Sequence, residues 1–147
     1  MMDWDCQMEK LLEKPGFVID FLPRQVPGDS PGRFFEVEQY FLDGKELKRM
    51  AKRFVRIILK LQCYYHLEIY SGQWMEHMEI RELAAYIEQI VLKKKGNIHF
   101  LFPEENVLLC LEGDSLNLTV YNPGPEIQKI LSELAVSEGM FFWQVRN

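Results

Sequence analysis

A chain of 147 residues that is 48% hydrophobic, 27% charged and 13% aromatic has the composition of one ordinary globular domain, which excludes a disordered or low-complexity polymer. Its net charge of −5 disfavours loose phosphate binding and favours solubility. Three scattered cysteines, Cys6, Cys63 and Cys110, exclude a disulfide framework; their odd number leaves one unpaired and fits a reducing cytosol.

The opening segment, Met1 to Lys14, carries Asp3, Asp5, Glu9 and Glu13 where a signal peptide would have a basic start and an apolar run. No apolar stretch approaches the roughly 20 residues of a membrane span. A cytoplasmic protein with no membrane partner is expected. Asp3 to Leu12 is predicted to form a short helix, with Trp4, Met8, Leu11 and Leu12 on one side and Pro15-Gly16 ending it. Phe17 to Leu22 reads as a strand. Pro23 to Gly32, with prolines at 23, 27 and 31 and glycines at 28 and 32, passes neither as helix nor as ladder strand; it is a loop. Phe34 to Leu42 is predicted as a strand, with Phe35, Val37, Gln39 and Phe41 on one face and Phe34, Glu36, Glu38 and Tyr40 on the face toward water.

After Asp43-Gly44, apolar residues at 47, 50, 51, 54, 57, 58 and 61 recur at spacings of three and four, the strongest helical pattern in the chain. Cys63 to Tyr70 fits both an extension of that helix and a strand; Ser71-Gly72 favours a strand turning into a hairpin with Gln73 to Glu76. Glu79 to Lys94 is a second helix, with Ile80, Leu83, Ala84, Ile87, Ile90 and Val91 inward and Gly96 as its stop. Asn97 to Phe102, Val107 to Leu111 and Leu116 to Tyr121 are three β-rich runs separated by Glu105-Asn106 and Gly113-Asp114, short connections that make neighbours antiparallel. Asn122-Pro123-Gly124-Pro125 opens a helix over Glu126 to Ala135, and Met140 to Val145 closes the chain as a strand. The fold class is therefore α+β: one domain with a mostly antiparallel sheet, helices from Lys45, Glu79 and Glu126 packed largely on one face, and a C-terminal βββαβ unit.

Chemistry leaves little trace. His66, His77, His99 and the cysteines fall in no metal-ligand spacing, so no metal site is expected. His99, between Ile98 and Phe100, reads as a half-buried strand residue, and Cys110, between Leu109 and Leu111, as an inert core thiol. Cys63 is the more reactive cysteine because Lys60 and His66 are near it in sequence. There is no nucleophile elbow, P-loop or dinucleotide fingerprint, so neither a cofactor nor catalytic residues are assigned.

Charge is more informative. Lys45 to Lys60 holds seven basic residues and one acid, which puts that segment at +6 and the remainder at −11. Lys48, Lys52, Arg56 and Lys60 repeat every four residues beside Lys45, Arg49 and Arg53, forming a positive ridge. Neutralisation within the fold, by Glu76, Glu79, Glu82 and Glu88, is the first reading; a protein partner or nucleic acid are the others. Aromatic residues gather at Tyr64, Tyr65, Tyr70 and Trp74 and again at Phe141, Phe142 and Trp143. Consecutive aromatics in a strand point to both faces, so some are available to a partner or a second copy. The candidate partner-binding residues are Lys48, Lys52, Arg56, Lys60, Tyr64, Tyr70, Trp74 and Trp143.

Leu118-Thr119-Val120-Tyr121-Asn122-Pro123 and the stretch from Leu134 through Ser137-Glu138-Gly139-Met140-Phe141-Phe142 resemble the closing segment of small uncharacterised bacterial proteins. The resemblance covers roughly the last 30 residues. It implies bacterial origin and a strand-helix-strand ending, and brings no activity with it. The sequence thus points to a non-catalytic cytosolic protein-binding domain of a regulatory or toxin-neutralising type. The alternative is a nucleic-acid binder using the basic helix, disfavoured by net charge; an enzyme or small-ligand carrier comes after both.

Overall fold

A computed structural model describes residues 3–28, 33–76 and 78–146. The C-terminal βββαβ unit is present: β4 (Asn97–Phe102), β5 (Val107–Glu112), β6 (Asn117–Tyr121), α5 (Pro125–Ser137) and β7 (Phe141–Gln144). Asn106 and Asn122 turn the chain at positive φ, a conformation their short polar side chains tolerate. The sheet is antiparallel throughout and has seven strands in the order β3-β2-β4-β5-β6-β1-β7. β1 (Gly16–Asp20) lies between β6 and β7, so the chain crosses β1 through α5.

The helices divide between the faces as the apolar stripes require. α3 (Gly44–Leu61) buries eight apolar side chains, and α4 (Ile80–Lys93) and α5 add Leu83, Ile87, Ile127 and Leu131 to the same core, against Ile98, Phe100, Leu109 and Val120. Burying each such side chain is worth about 1.5–3 kcal/mol. Packing, not capping, therefore holds α3, because the side chain of its N-cap, Asp43, makes no cap hydrogen bond. On the other face α1 (Trp4–Leu11) lays Met8 and Leu11 over Leu101, Leu108 and Cys110. Asp3 caps α1 by accepting from the Cys6 N–H at 3.1 Å.

Several expectations are corrected. Residues 33–41, expected as a strand, form α2 (Arg33–Phe41). The less exposed positions, Phe34, Glu38, Phe41 and Leu42, recur at the three-to-four spacing of a helix, and Arg33 pairs with Glu36 one turn on at 3.0 Å. The helix has no fully buried residue, and Phe35 and Tyr40 are exposed. It is tied down mainly at its end, where Phe41 meets Phe21 at a ring separation of 5.1 Å. Of Cys63 to Tyr70, only Glu68–Tyr70 is strand (β2); a turn follows α3, and β2 pairs with β3 (Trp74–Met75) in the expected hairpin. α4 ends three residues before Gly96: Lys94 takes the left-handed conformation, and the Lys95 N–H reaches the Ile90 carbonyl in a Schellman closure. Ile80 and Leu12, expected on core faces, are exposed at the helix ends. Asp29 to Gly32 of the proline-rich loop, and His77, lie outside the described residues. Among the described residues no helix is long and apolar enough to cross a membrane.

Candidate functional site

The basic ridge lies along α3, with Lys45, Lys48, Arg49, Lys52, Arg56 and Lys60 exposed. Its neutralisation comes mostly from a residue outside the expected group. Glu138, just after α5, accepts from Arg56 Nε at 2.6 Å and Lys60 Nζ at 2.8 Å. Lys52 pairs with Glu88 at 3.4 Å and Arg49 with Glu46 at 2.8 Å, whereas Glu76, Glu79 and Glu82 make no ion pair with the ridge among the described residues. Burial works to raise the Glu138 carboxyl pKa, but the hydrogen bonds from Lys60 and Arg56, with their charges, outweigh it and hold the group below its ordinary value. Three of the four proposed contact residues of the ridge, Lys52, Arg56 and Lys60, are thus engaged within the fold, and Lys48 remains without an ion pair among the described residues.

The aromatic candidates separate. One cross-strand row on the α1 face runs Trp74, Tyr70, His99, Cys110, Thr119, Val18 and Trp143 across all seven strands. Trp143 and Trp74 therefore stand at opposite edges of the sheet, six strand spacings or roughly 30 Å apart. Trp143 donates its indole N–H to the Leu22 carbonyl at 2.9 Å, Phe142 stacks on Phe17 in the core face, and Phe141 is partly exposed. Tyr64 is exposed on the turn after α3.

In the middle of the row, chemistry is closed off. Burial pushes the Cys110 thiol up to about 12, with the Glu112 charge adding to it. Burial also lowers the His99 pKa, and its Nδ1 has no partner while its ring packs edge-on to Tyr70 at 6.1 Å. Cys63 is exposed, and its Sγ lies 4.0 Å from the Leu59 carbonyl oxygen. No group of three or more His, Cys, Asp or Glu that could hold a metal ion gathers among the described residues.

At the β3 edge the row opens into a cleft of about 580 Å³, within the size range of ligand sites. The register builds it. Ile69 pairs with Met75 and Tyr70 with Trp74, so the next pair would set Glu68 opposite Glu76. The ladder stops before that pair, and Glu68 and Glu76 both line the cleft. Trp74 packs against Tyr70 at 5.1 Å and against Trp4 of α1 at 5.3 Å, and its indole N–H donates to Asp5 at 2.9 Å. Tyr65 forms part of the opposite wall beside Leu67 and Met78. His66 bonds Glu68 through one carboxylate oxygen, Oε2. Gln62 Oε1 is buried with no hydrogen-bond partner among the described residues. The lining has no lysine or arginine among the described residues.

Of the candidates named from sequence, Tyr70 and Trp74 belong to this corner, whereas Tyr64, Trp143 and the ridge lie away from its lining. Sequence reasoning missed Trp4, Gln62, Glu68 and Glu76. The hairpin register carries the signal for the two glutamates; Trp4 arrives from 70 positions upstream of Trp74 and leaves none. No known family profile matches the chain, and comparison with curated proteins and with solved structures finds no significant similarity.

Proposed function

We propose that this protein is a non-catalytic binding module that engages another protein through the cleft at the β3 edge, in the regulatory or toxin-neutralising kind of role its size and acidity suggest. The observation that carries the reading is the half-exposed Trp4–Trp74–Tyr70 cluster beside that cleft, at an edge strand only two residues long. Large aromatic side chains in a concave site supply most of the energy of protein interfaces. The burial of Cys110 and the packing of His99 support a binding role over covalent chemistry.

The test is affinity purification from the native host, with mass spectrometry, using the unaltered chain and a Trp74→Ala variant shown by circular dichroism to be folded. A stoichiometric protein recovered with the first and lost with the second is expected. A partner retained equally by Trp74→Ala, or recovery of nucleic acid in its place, overturns the reading.

A further inference from the structure

The chemistry of the cleft narrows what it accepts. Its polar groups are mainly acceptors: Glu68, whose Oε1 is not used by His66, Glu76, and the orphaned Gln62 Oε1. Asp5 adds a negative charge behind Trp74. The apolar lining sets the aromatic faces of Trp4, Trp74 and Tyr65 beside Leu67, Ile69, Met75 and Met78. A neutral apolar ligand would leave Glu76 and the free Oε1 of Glu68 without a partner from the ligand, and an anion would be repelled by the two carboxylates. A compact ammonium offers charge but does not stack. A guanidinium meets every demand at once, because it is planar, stacks on an indole, and presents five N–H donors in a fixed fork.

We propose that the cleft receives an arginine side chain of the partner protein, its guanidinium bridging Glu68 and Glu76 and its plane lying against the outer face of Trp74 or Trp4. The indoles themselves are 5.3 Å apart and tilted by 59°, so the group lies beside the pair and not between its rings. This rests on the protein-binding reading above and adds the chemical identity of the anchor. It also gives the short β2–β3 ladder a role: the pairing ends before Glu68 and Glu76, which leaves Glu76 and the Oε1 of Glu68 to meet a cation.

The test is a titration of the full ¹⁵N-labelled chain with a blocked Gly-Arg-Gly peptide, followed by the tryptophan indole signals, with citrulline and lysine versions as controls. Citrulline keeps the shape and loses the charge. The Trp4 and Trp74 signals are expected to move, and Trp143, at the far edge, to stay as an internal reference. Citrulline or lysine in place of arginine, or Glu68→Gln with Glu76→Gln, should weaken binding about tenfold or more, the scale of losing a charge-assisted contact. Equal binding of the citrulline or lysine peptide, equal movement of all three indoles, or no movement with millimolar arginine peptide overturns the proposal. So does a self-association of the unaltered chain that the double glutamine variant abolishes, since the occupant is then a second copy. The failures are distinguishable. A native partner lost with Trp74→Ala but kept by the double glutamine variant sinks the arginine anchor and leaves the binding reading standing. A partner indifferent to Trp74→Ala sinks the reading itself.

Discussion

Replacing Glu138 with glutamine removes the charge that draws two ridge cations to one point while keeping the side chain's shape. The carboxylate is 7% exposed, whereas Arg56 and Lys60 are 48% and 46% exposed. Freed cations at that exposure rehydrate, so the loss falls short of the cost of stranding a charge in the interior. Two charge-assisted contacts discounted for solvent give about 1–3 kcal/mol of destabilisation near pH 7. The pH dependence has a definite sign. A carboxylate held below its ordinary value of 4.5 in the folded state contributes fully above that value and loses its contribution as pH falls through the lower folded value. The gap between the original chain and Glu138→Gln should therefore be flat from mildly alkaline conditions down to about pH 5.5, and close as pH falls below 4.5. Urea unfolding at several pH values, with unchanged m-values, measures it. Equal stabilities near neutrality, or a gap that persists undiminished in acid, would refute the assignment of Glu138 as the ridge's anchor.

Two further predictions follow from buried positions. Asp20 is buried with no ion pair among the described residues, and burial, with a smaller push from Glu38, raises its pKa from 3.8 to about 6 despite the hydrogen bonds it accepts from the Phe21 and Leu22 N–H groups. For an acid shifted upward, the folded state is penalised as pH rises from the unfolded value through the folded one. Asp20→Asn, which keeps an acceptor for Phe21, should stabilise the chain by about 2–3 kcal/mol near pH 7.5, with the gain vanishing below about pH 4. A thermal or urea series across that range checks it, and a gain independent of pH would contradict it. Gly113→Ala should destabilise by about 1–3 kcal/mol or more. A Cβ at Gly113 would lie 2.5 Å from the Lys95 nitrogen and 2.7 Å from the Ile90 carbonyl oxygen, both backbone atoms that side-chain rotation cannot relieve. An alanine variant as stable as the original chain would show that the α4–β4 connection shifts freely.

What was legible in the sequence follows from how local each cause is. α3 and α4 show themselves because their apolar stripes repeat every three or four residues, and β4 to β6 because short turns punctuate them. α2 does not. Phe34 to Leu42 satisfies a strand's alternation as well as a helix's spacing of three and four, and the aromatic contact that seats its end, Phe41 on Phe21, comes from 20 positions upstream. Gly113 looked like an ordinary turn residue because the backbone it touches belongs to a different connection. The ridge is similar: its spacing was plain, but its main counter-charge lies 78 and 82 positions away, beyond any i,i+4 rule.

The same distinction governs the candidate site. That Glu68 and Glu76 flank the paired rungs follows from hairpin register and was readable once Tyr70 was set against Trp74. Trp4 adds its ring to the cleft, and α1 reaches Trp74 as Met8 and Leu11 bury themselves on Leu101 and Leu108. The cleft at this corner therefore depends on a satellite core separate from the one that holds α3, α4 and α5. This separation leaves the cleft's two glutamates at the open end of a two-residue ladder, while β4 and β5 pair along their full length. It also keeps the two aromatic groups from acting as one surface. Trp143 is engaged at the opposite edge with the Leu22 carbonyl, so a partner anchored on Trp74 reaches its neighbourhood only by crossing the face that α1 covers.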